Sequence, residues 1–233
     1  MKQLTIATYN ICHGHYAGLD WTKLASSILA SGADVVGIQE MDMFTNRVGG
    51  ADSLKGLSEA AGMPYSLFVP AMDFDGGQYG TAILSRLPME TLEMRPLYDG
   101  GYEPRAYGAV TVTTEDGSRL VFANTHLSYE DKKTRAMQIK QLSFRLYTML
   151  PEPLPTVLTG DFNTDDFSAL SPFRTAGMEL VNNGEQEYKT FRTDPAAIDN
   201  ILYSRDKLIP LESGMIDSDM SDHNLLWCRF QLN

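Results

Sequence analysis

The chain has 233 residues, 43% hydrophobic and 21% charged, ordinary globular values that exclude a disordered, collagen-like or coiled-coil chain. Nineteen basic against 30 acidic residues leave a net charge of −11, which counts against nucleic acid as substrate unless a basic strip or bound cation reverses the local field. No apolar run approaches the roughly 20 residues of a membrane helix. The start, MKQLTIATYN, has neither the apolar core nor the cleavage site of a secretory signal, so a cytoplasmic protein is expected.

In chain order, Leu4–Asn10 reads as a strand. A helix follows over 20–31, capped by Asp20, with Trp21, Leu24, Ala25, Ile28 and Leu29 on one face and Gly32 closing it. Val35–Gln39 is a strand. Residues 53–61 repeat the helical scheme more weakly, with Leu54, Leu57 and Ala61 before Gly62. Thr81–Ser85, Ala109–Thr113 and Leu120–Asn124 are strands, with Glu115-Asp116-Gly117 as a hairpin turn between the last two. The longest helix is expected at about 131–149, with Ala136, Ile139, Ser143, Leu146 and Leu150 near one stripe. A stiff turn, Pro151 to Pro155, leads to Thr156–Thr159, a short helix after Asp165, and strands at Ile198–Tyr203 and Leu225–Phe230. Many strands and few helices argue for an α+β fold, two mixed sheets packed face to face with helices outside. Neither a repeat nor a linker interrupts the chain, so residues 1–233 read as one domain.

Polar residues punctuate these strands: Asn10, Glu40, His126, Asp161 with Asn163, Asp199, and Asp222 with His223. One such residue is most often a solvated turn former; six places of complementary chemistry ask for a shared explanation. Glu40, Asp161 and Asp222 offer hard carboxylate oxygens and Asn10 an amide carbonyl, the donors that Mg2+ or Mn2+ takes. No Cys/His cluster with zinc spacing competes. Asp199 is a candidate partner to fix the His223 tautomer. If the backbone is extended, Asp161 and Asn163 face the same way.

These residues stand in strings that resemble the endonuclease/exonuclease/phosphatase superfamily, the deoxyribonuclease-I-like phosphoesterases, and especially its small bacterial members. The strings are Thr8-Tyr9-Asn10-Ile11, Gly37-Ile38-Gln39-Glu40, Tyr79 to Arg86, Asn124-Thr125-His126-Leu127, Gly160-Asp161-Phe162-Asn163, Ile198 to Leu202 and Ser221-Asp222-His223. The resemblance implies a four-layer α/β/β/α sandwich with the site at one rim. It implies Glu40 as principal metal ligand, Asn10 beside it directly or through water, and Asp222 in the same shell. Asp161 would position or deprotonate the attacking water. Asn163 and His126 would contact the phosphate, and His223, oriented by Asp199, would be base or cationic stabiliser. It also places the first and last strands side by side and antiparallel, with Cys12 roughly 16 Å from Cys228, too far for a disulfide. Both cysteines therefore read as reduced and buried.

Other positions carry alternatives. His13 is a metal neighbour or a loop cap. Arg47 and Arg105 hold substrate phosphate or form surface ion pairs. Tyr79 is a substrate contact, and Asp42 either supports the metal or is a solvated acid. Lys132, Lys133, Arg135, Lys140 and Arg145 read as a solvated helix face in preference to a nucleic-acid strip. The expected function is divalent-metal-dependent hydrolysis of a phosphodiester or phosphomonoester, small-molecule or lipid-derived, by in-line attack of water. The alternatives are a DNA nuclease acting at abasic sites and a non-catalytic binding module. A monomer without a protein partner is expected.

Overall fold

The computed structural model describes residues 3–148, 154–185 and 187–232. Met149, Leu150 and Pro151–Pro153 of the expected helix end and turn lie outside the described residues. In chain order the elements are β1 (Gln3–Asn10), α1 (Trp21–Ser31), β2 (Val35–Met43), α2 (Ser53–Ala61), β3 (Tyr65–Phe74), β4 (Gly77–Ser85), β5 (Met89–Pro96) and β6 (Ala106–Thr113). They continue with β7 (Arg119–His126), α3 (Lys132–Thr148), β8 (Thr156–Asp161), α4 (Ser171–Thr175), β9 (Met178–Leu180), β10 (Asp199–Ser204), β11 (Leu208–Ile216) and β12 (Leu225–Leu232).

The helices start where short acidic side chains satisfy free backbone donors. Asp20 Oδ1 accepts from the backbone N–H of Thr22 and Lys23. Asp52 does the same for Lys55, and Asp131 for Thr134. α1 and α2 end in the left-handed residues Gly32 and Gly62, which glycine adopts without a Cβ penalty. The expected hairpin turn closes β6 onto β7, with Gly117 at φ +83° and Asp116 Oδ1 accepting from Thr114 Oγ1 and Ser118 N.

Two six-stranded sheets form, in the orders β11-β12-β1-β2-β4-β3 and β5-β6-β7-β8-β10-β9. β1 runs parallel to β2, and β7 to β8; the other pairings are antiparallel. Leu4, Ile6, Val35 and Ile83 of the first sheet meet Val110, Phe122, Val157 and Ile201 of the second in the central core. Leu24, Ile28 and Leu57 cover the outer face of the first sheet, and Ile139, Leu142 and Phe173 that of the second. The result is the expected four-layer α/β/β/α sandwich. Four strands are additional to the expected eight: β3, β5, β9 and β11, the edge strands of the two sheets.

Between the sheets, directly behind the site, sits a buried polar clamp. Asn124 Nδ2 donates to the backbone carbonyls of Ile38 and Ala82, at 2.8 and 2.9 Å. Its Oδ1 accepts from Gln39 Nε2 and Thr159 Oγ1. Gly37 makes the approach possible, because a Cβ there would stand 2.2 Å from Thr159 Oγ1.

No helix among the described residues is long and apolar enough to cross a membrane. Cys12 and Cys228 are both free, as expected. Cys228 is buried in β12 opposite Ile6, whereas Cys12 is partly exposed, since it lies past the end of β1 where the core stops.

Candidate active site

Both parallel pairs end at the same rim. β1 brings Asn10, β2 brings Glu40, β7 brings His126 and β8 brings Asp161; β10 opens there with Asp199, and the segment entering β12 adds Asp222 and His223. The carboxyl ends of parallel strands are where open α/β sheets place their ligands. A cavity of about 460 Å³ opens at this rim, lined by Glu40, Arg47, Tyr79, Glu103, Arg105, His126, Asp161, Asn163, Asp222 and His223. Asn10 and Asp199 lie fully buried behind it.

Glu40 lies inside β2, not after it, and points into the cavity because the strand is irregular there. The β2–β4 register shifts between Ile38 and Met41, and Glu40 has φ +58°, a combination that re-aims a side chain out of a regular ladder. Burial alone would raise its pKa. The neighbouring His13, the Asn10 amide and the His223 charge outweigh that and hold it down at about 2.

Asn10 Nδ2 bridges two carboxylates, donating to Glu40 Oε1 at 2.9 Å and Asp161 Oδ2 at 3.0 Å. Its Oδ1 accepts from the Cys12 backbone N–H at 3.0 Å, which fixes the amide orientation. In this arrangement Asn10 presents its N–H groups to the two carboxylates. Ser221 Oγ donates to the Asn10 backbone oxygen at 2.7 Å, tying the β12 entry to β1.

The second sheet supplies a chain of acid and imidazole. His223 Nδ1 lies 2.7 Å from Asp199 Oδ2, and its Nε2 lies 3.7 Å from Asp161 Oδ2. Burial would depress the His223 pKa, but Asp199, with Asp161 and Asp222, overrides it and pushes it up to about 10. Asp161 is pushed upward by burial first and then by the Asp199 charge. The backbone is not extended at Asn163. This residue has φ +51°, and its backbone N–H folds back to donate to Asp161 Oδ1 at 2.9 Å, the local loop that Asx side chains favour.

His126 is neutral. Burial, then the nearby Arg105 charge, lowers its pKa well below the usual value. Arg105 Nη1 lies 2.8 Å from His126 Nδ1, and a guanidinium can only donate. The imidazole Nε2 lies 3.6 Å from Asp161 Oδ2. Asn163 Nδ2, 3.0 Å from that Nε2, keeps its own bond to the Leu127 carbonyl.

The two arginines line the cavity but are already engaged. Arg47 forks onto buried Asp42, with Nε at 2.5 Å and Nη2 at 2.8 Å, and lies over the Phe74 ring at 4.7 Å. Asp42 is thus no solvated acid. Arg105 is buried, with Nη2 on Glu103 at 3.0 Å and Nη1 also reaching Tyr79 Oη at 3.5 Å. The expected basic helix face is dispersed as well: Arg135 Nη1 donates to the Ser128 carbonyl and Arg145 grips Glu93.

Sequence reasoning missed the Asn124 clamp, although Asn124 stands beside His126, because its role needs the second sheet to be seen. It missed the apolar wall of the cavity, Met72, Phe74, Tyr129, Phe191 and Ile198, for which isolated apolar residues in loops and edge strands carry no signal. It also missed a cluster of soft donors. His13 Nδ1 lies 3.8 Å from Glu40 Oε2, and Cys12 Sγ, His13 Nδ1 and a Glu40 oxygen lie within 4.8 Å of one another. The expectation that no Cys/His cluster competes for zinc is corrected here, because the first loop folds Cys12 and His13 back onto a glutamate 27 residues away from His13.

The pattern of the Endonuclease/Exonuclease/phosphatase family matches residues 7–223. The chain belongs to this family. An endonuclease/exonuclease/phosphatase from Beutenbergia cavernae DSM 12333 superposes with a TM-score of 0.84 at 19% identity, covering 100% of this chain and 72% of that one. The mannosyl-6-phosphatase of Bacteroides thetaiotaomicron VPI-5482 gives 0.73 at 20% identity, covering 99% of each chain. D. rerio TDP2, complexed with a single-strand DNA product, gives 0.75 at 21% identity, covering 99% of this chain and 100% of that one. No curated protein matches the chain in sequence. Structural likeness at these identities establishes the fold of the family, whose neighbours include phosphatases and nucleases.

Proposed function

We propose that this chain is one catalytic domain, a divalent-metal-dependent phosphoesterase that hydrolyses a small or lipid-derived phosphoester by in-line attack of water. The observation that carries the reading is the buried chain Asp199–His223–Asp161, which reaches the cavity beside an ionised Glu40.

The donor set fits a cation. Glu40, Glu103, Asp161 and Asp222 face a cavity whose two arginines are already paired with carboxylates. Glu40 and Asp222 would hold a divalent ion through their carboxylate oxygens, which would supply positive charge to a phosphoryl oxygen. Asp161, fixed by Asn10 Nδ2 and the Asn163 N–H, orients the attacking water and accepts its proton; its raised pKa suits a base better than an ordinary aspartate. His223 holds its proton at neutral pH, which supports a cationic stabiliser of the transition state over a base. Neutral His126 and Asn163 donate to the non-bridging oxygens.

The acid-rich rim disfavours a polyanionic DNA backbone. Two free cysteines suit a reducing, cytoplasmic setting. The reading is tested by metal-dependent hydrolysis of bis(p-nitrophenyl) phosphate and of an abasic-site duplex. Turnover of the small diester alone, abolished in Asp161→Ala, is the expected result. Cleavage of the duplex alone replaces it with a repair nuclease, and turnover unaffected by Asp161→Ala refutes the site.

A further inference from the structure

Cys12 and His13 stand beside Glu40 and have no role in the reaction above. The backbone takes two consecutive left-handed steps there, φ +43° and +45°, and these bring both side chains to Glu40. His13 Nδ1 is buried and has no partner within hydrogen-bond distance. The Cys12 thiol lies against the Asp222 carboxylate on its other side. A soft sulfur, a borderline imidazole nitrogen and one or two carboxylates therefore converge on one small space.

We propose that Cys12 Sγ and His13 Nδ1 join Glu40 in a metal site that selects a zinc-class divalent ion over Mg2+. The proposal rests on the phosphoesterase reading for its purpose, since it names the ion class of the same centre. Its geometry is suitable. Two donors on one zinc ion stand at most about 4.4 Å apart, and Nδ1 and Oε2 are already 3.8 Å apart. The chemistry selects the ion, because thiolate and imidazole favour zinc and cobalt, whereas Mg2+ takes oxygen. On loading, the Cys12 S–H bond breaks, its proton leaves to solvent, and an S–metal bond forms; nothing is oxidised or reduced.

The test is an anaerobic Co2+ titration of the full, phosphine-reduced chain, read by absorption without substrate. The expected result is a near-ultraviolet thiolate-to-cobalt charge-transfer band saturating at one equivalent and displaced by Zn2+. It persists in a large excess of Mg2+, is absent in Cys12→Ser and is retained in Cys228→Ser. Zn2+ affinity should fall in Cys12→Ser and in His13→Ala by more than the roughly 100-fold cost of losing an outer-shell partner. No band in the wild type, a band surviving in Cys12→Ser, or displacement by Mg2+ overturns the proposal. Its failure is separable from that of the phosphoesterase reading: Asp161→Ala should lose turnover and keep the band. A band in a protein that hydrolyses no phosphoester with any metal leaves the site standing and refutes the reaction.

Discussion

Asp161 is held by two donors, the Asn10 amide and the Asn163 backbone N–H, with two imidazoles, His126 and His223, at longer range. Together they orient the carboxylate at the cavity wall. Asp161→Ala should therefore lower kcat by roughly 100- to 10,000-fold, the usual contribution of a positioned base, while thermal unfolding stays cooperative. His223→Ala should lower kcat by a similar factor, read in the same assay. Four of the seven described non-glycine residues with positive φ, Cys12, His13, Glu40 and Asn163, are in this site. Such strain costs roughly 1–3 kcal/mol each and gathers where side chains must be aimed. That aiming is the part the sequence could not show. Residue types at strand ends made Glu40, Asp161 and His223 visible, but the turned Asn10 amide, the folded-back Asn163 and the engaged arginines depend on neighbours from distant strands.

At the level of elements, the interior strands were legible and the edges were not. β1, β2, β6, β7 and β8 are covered on both faces and carry near-continuous apolar runs. β5 and β11 are mostly exposed, β3 is half-exposed and β9 is only three residues long. An edge strand lacks both the apolar run and a clean alternation, so its pattern merges with loop. The clamp behind the site makes the opposite demand, since it fixes two interior strands across the sandwich. Gly37→Ala should cost about 3 kcal/mol, because the added methyl has no space to enter between rigid strands. Asn124→Leu should cost roughly 2–5 kcal/mol by leaving the Ile38 and Ala82 carbonyls unpaired. Urea denaturation midpoints at unchanged slope check both.

For the whole molecule, the concentration of carboxylates at one rim makes metal the central variable. EDTA should abolish turnover and lower Tm, and readdition of a divalent ion should restore both, since an ion bound by the folded state alone stabilises it. Far from the site, Glu93 of β5 takes Arg145 of α3, Arg95 and the Tyr107 hydroxyl together, and Arg145 chiefly holds its pKa down at about 2. Because the folded value lies below the ordinary one, this stabilisation is complete above about pH 4.5 and disappears as pH falls toward 2. Glu93→Gln should destabilise the neutral protein by on the order of 1 kcal/mol, allowing for solvent screening. The difference should vanish in melts near pH 2. The two sheets also share one spatial plan, a parallel pair flanked on each side by two antiparallel strands, reached by different chain orders.

The pairing of β1 with β12 has a consequence for synthesis. β1 leaves the ribosome well before its antiparallel neighbour, residues 225–232. Throughout translation the nascent chain carries β1 with one open edge, and Asn10 without the Ser221 and His223 that complete its surroundings. Contacts at such sequence separation make folding slow, and an unpaired edge invites association with other chains. The sheet closes and the chemistry becomes possible in the same late event, so incomplete chains should aggregate and hydrolyse nothing.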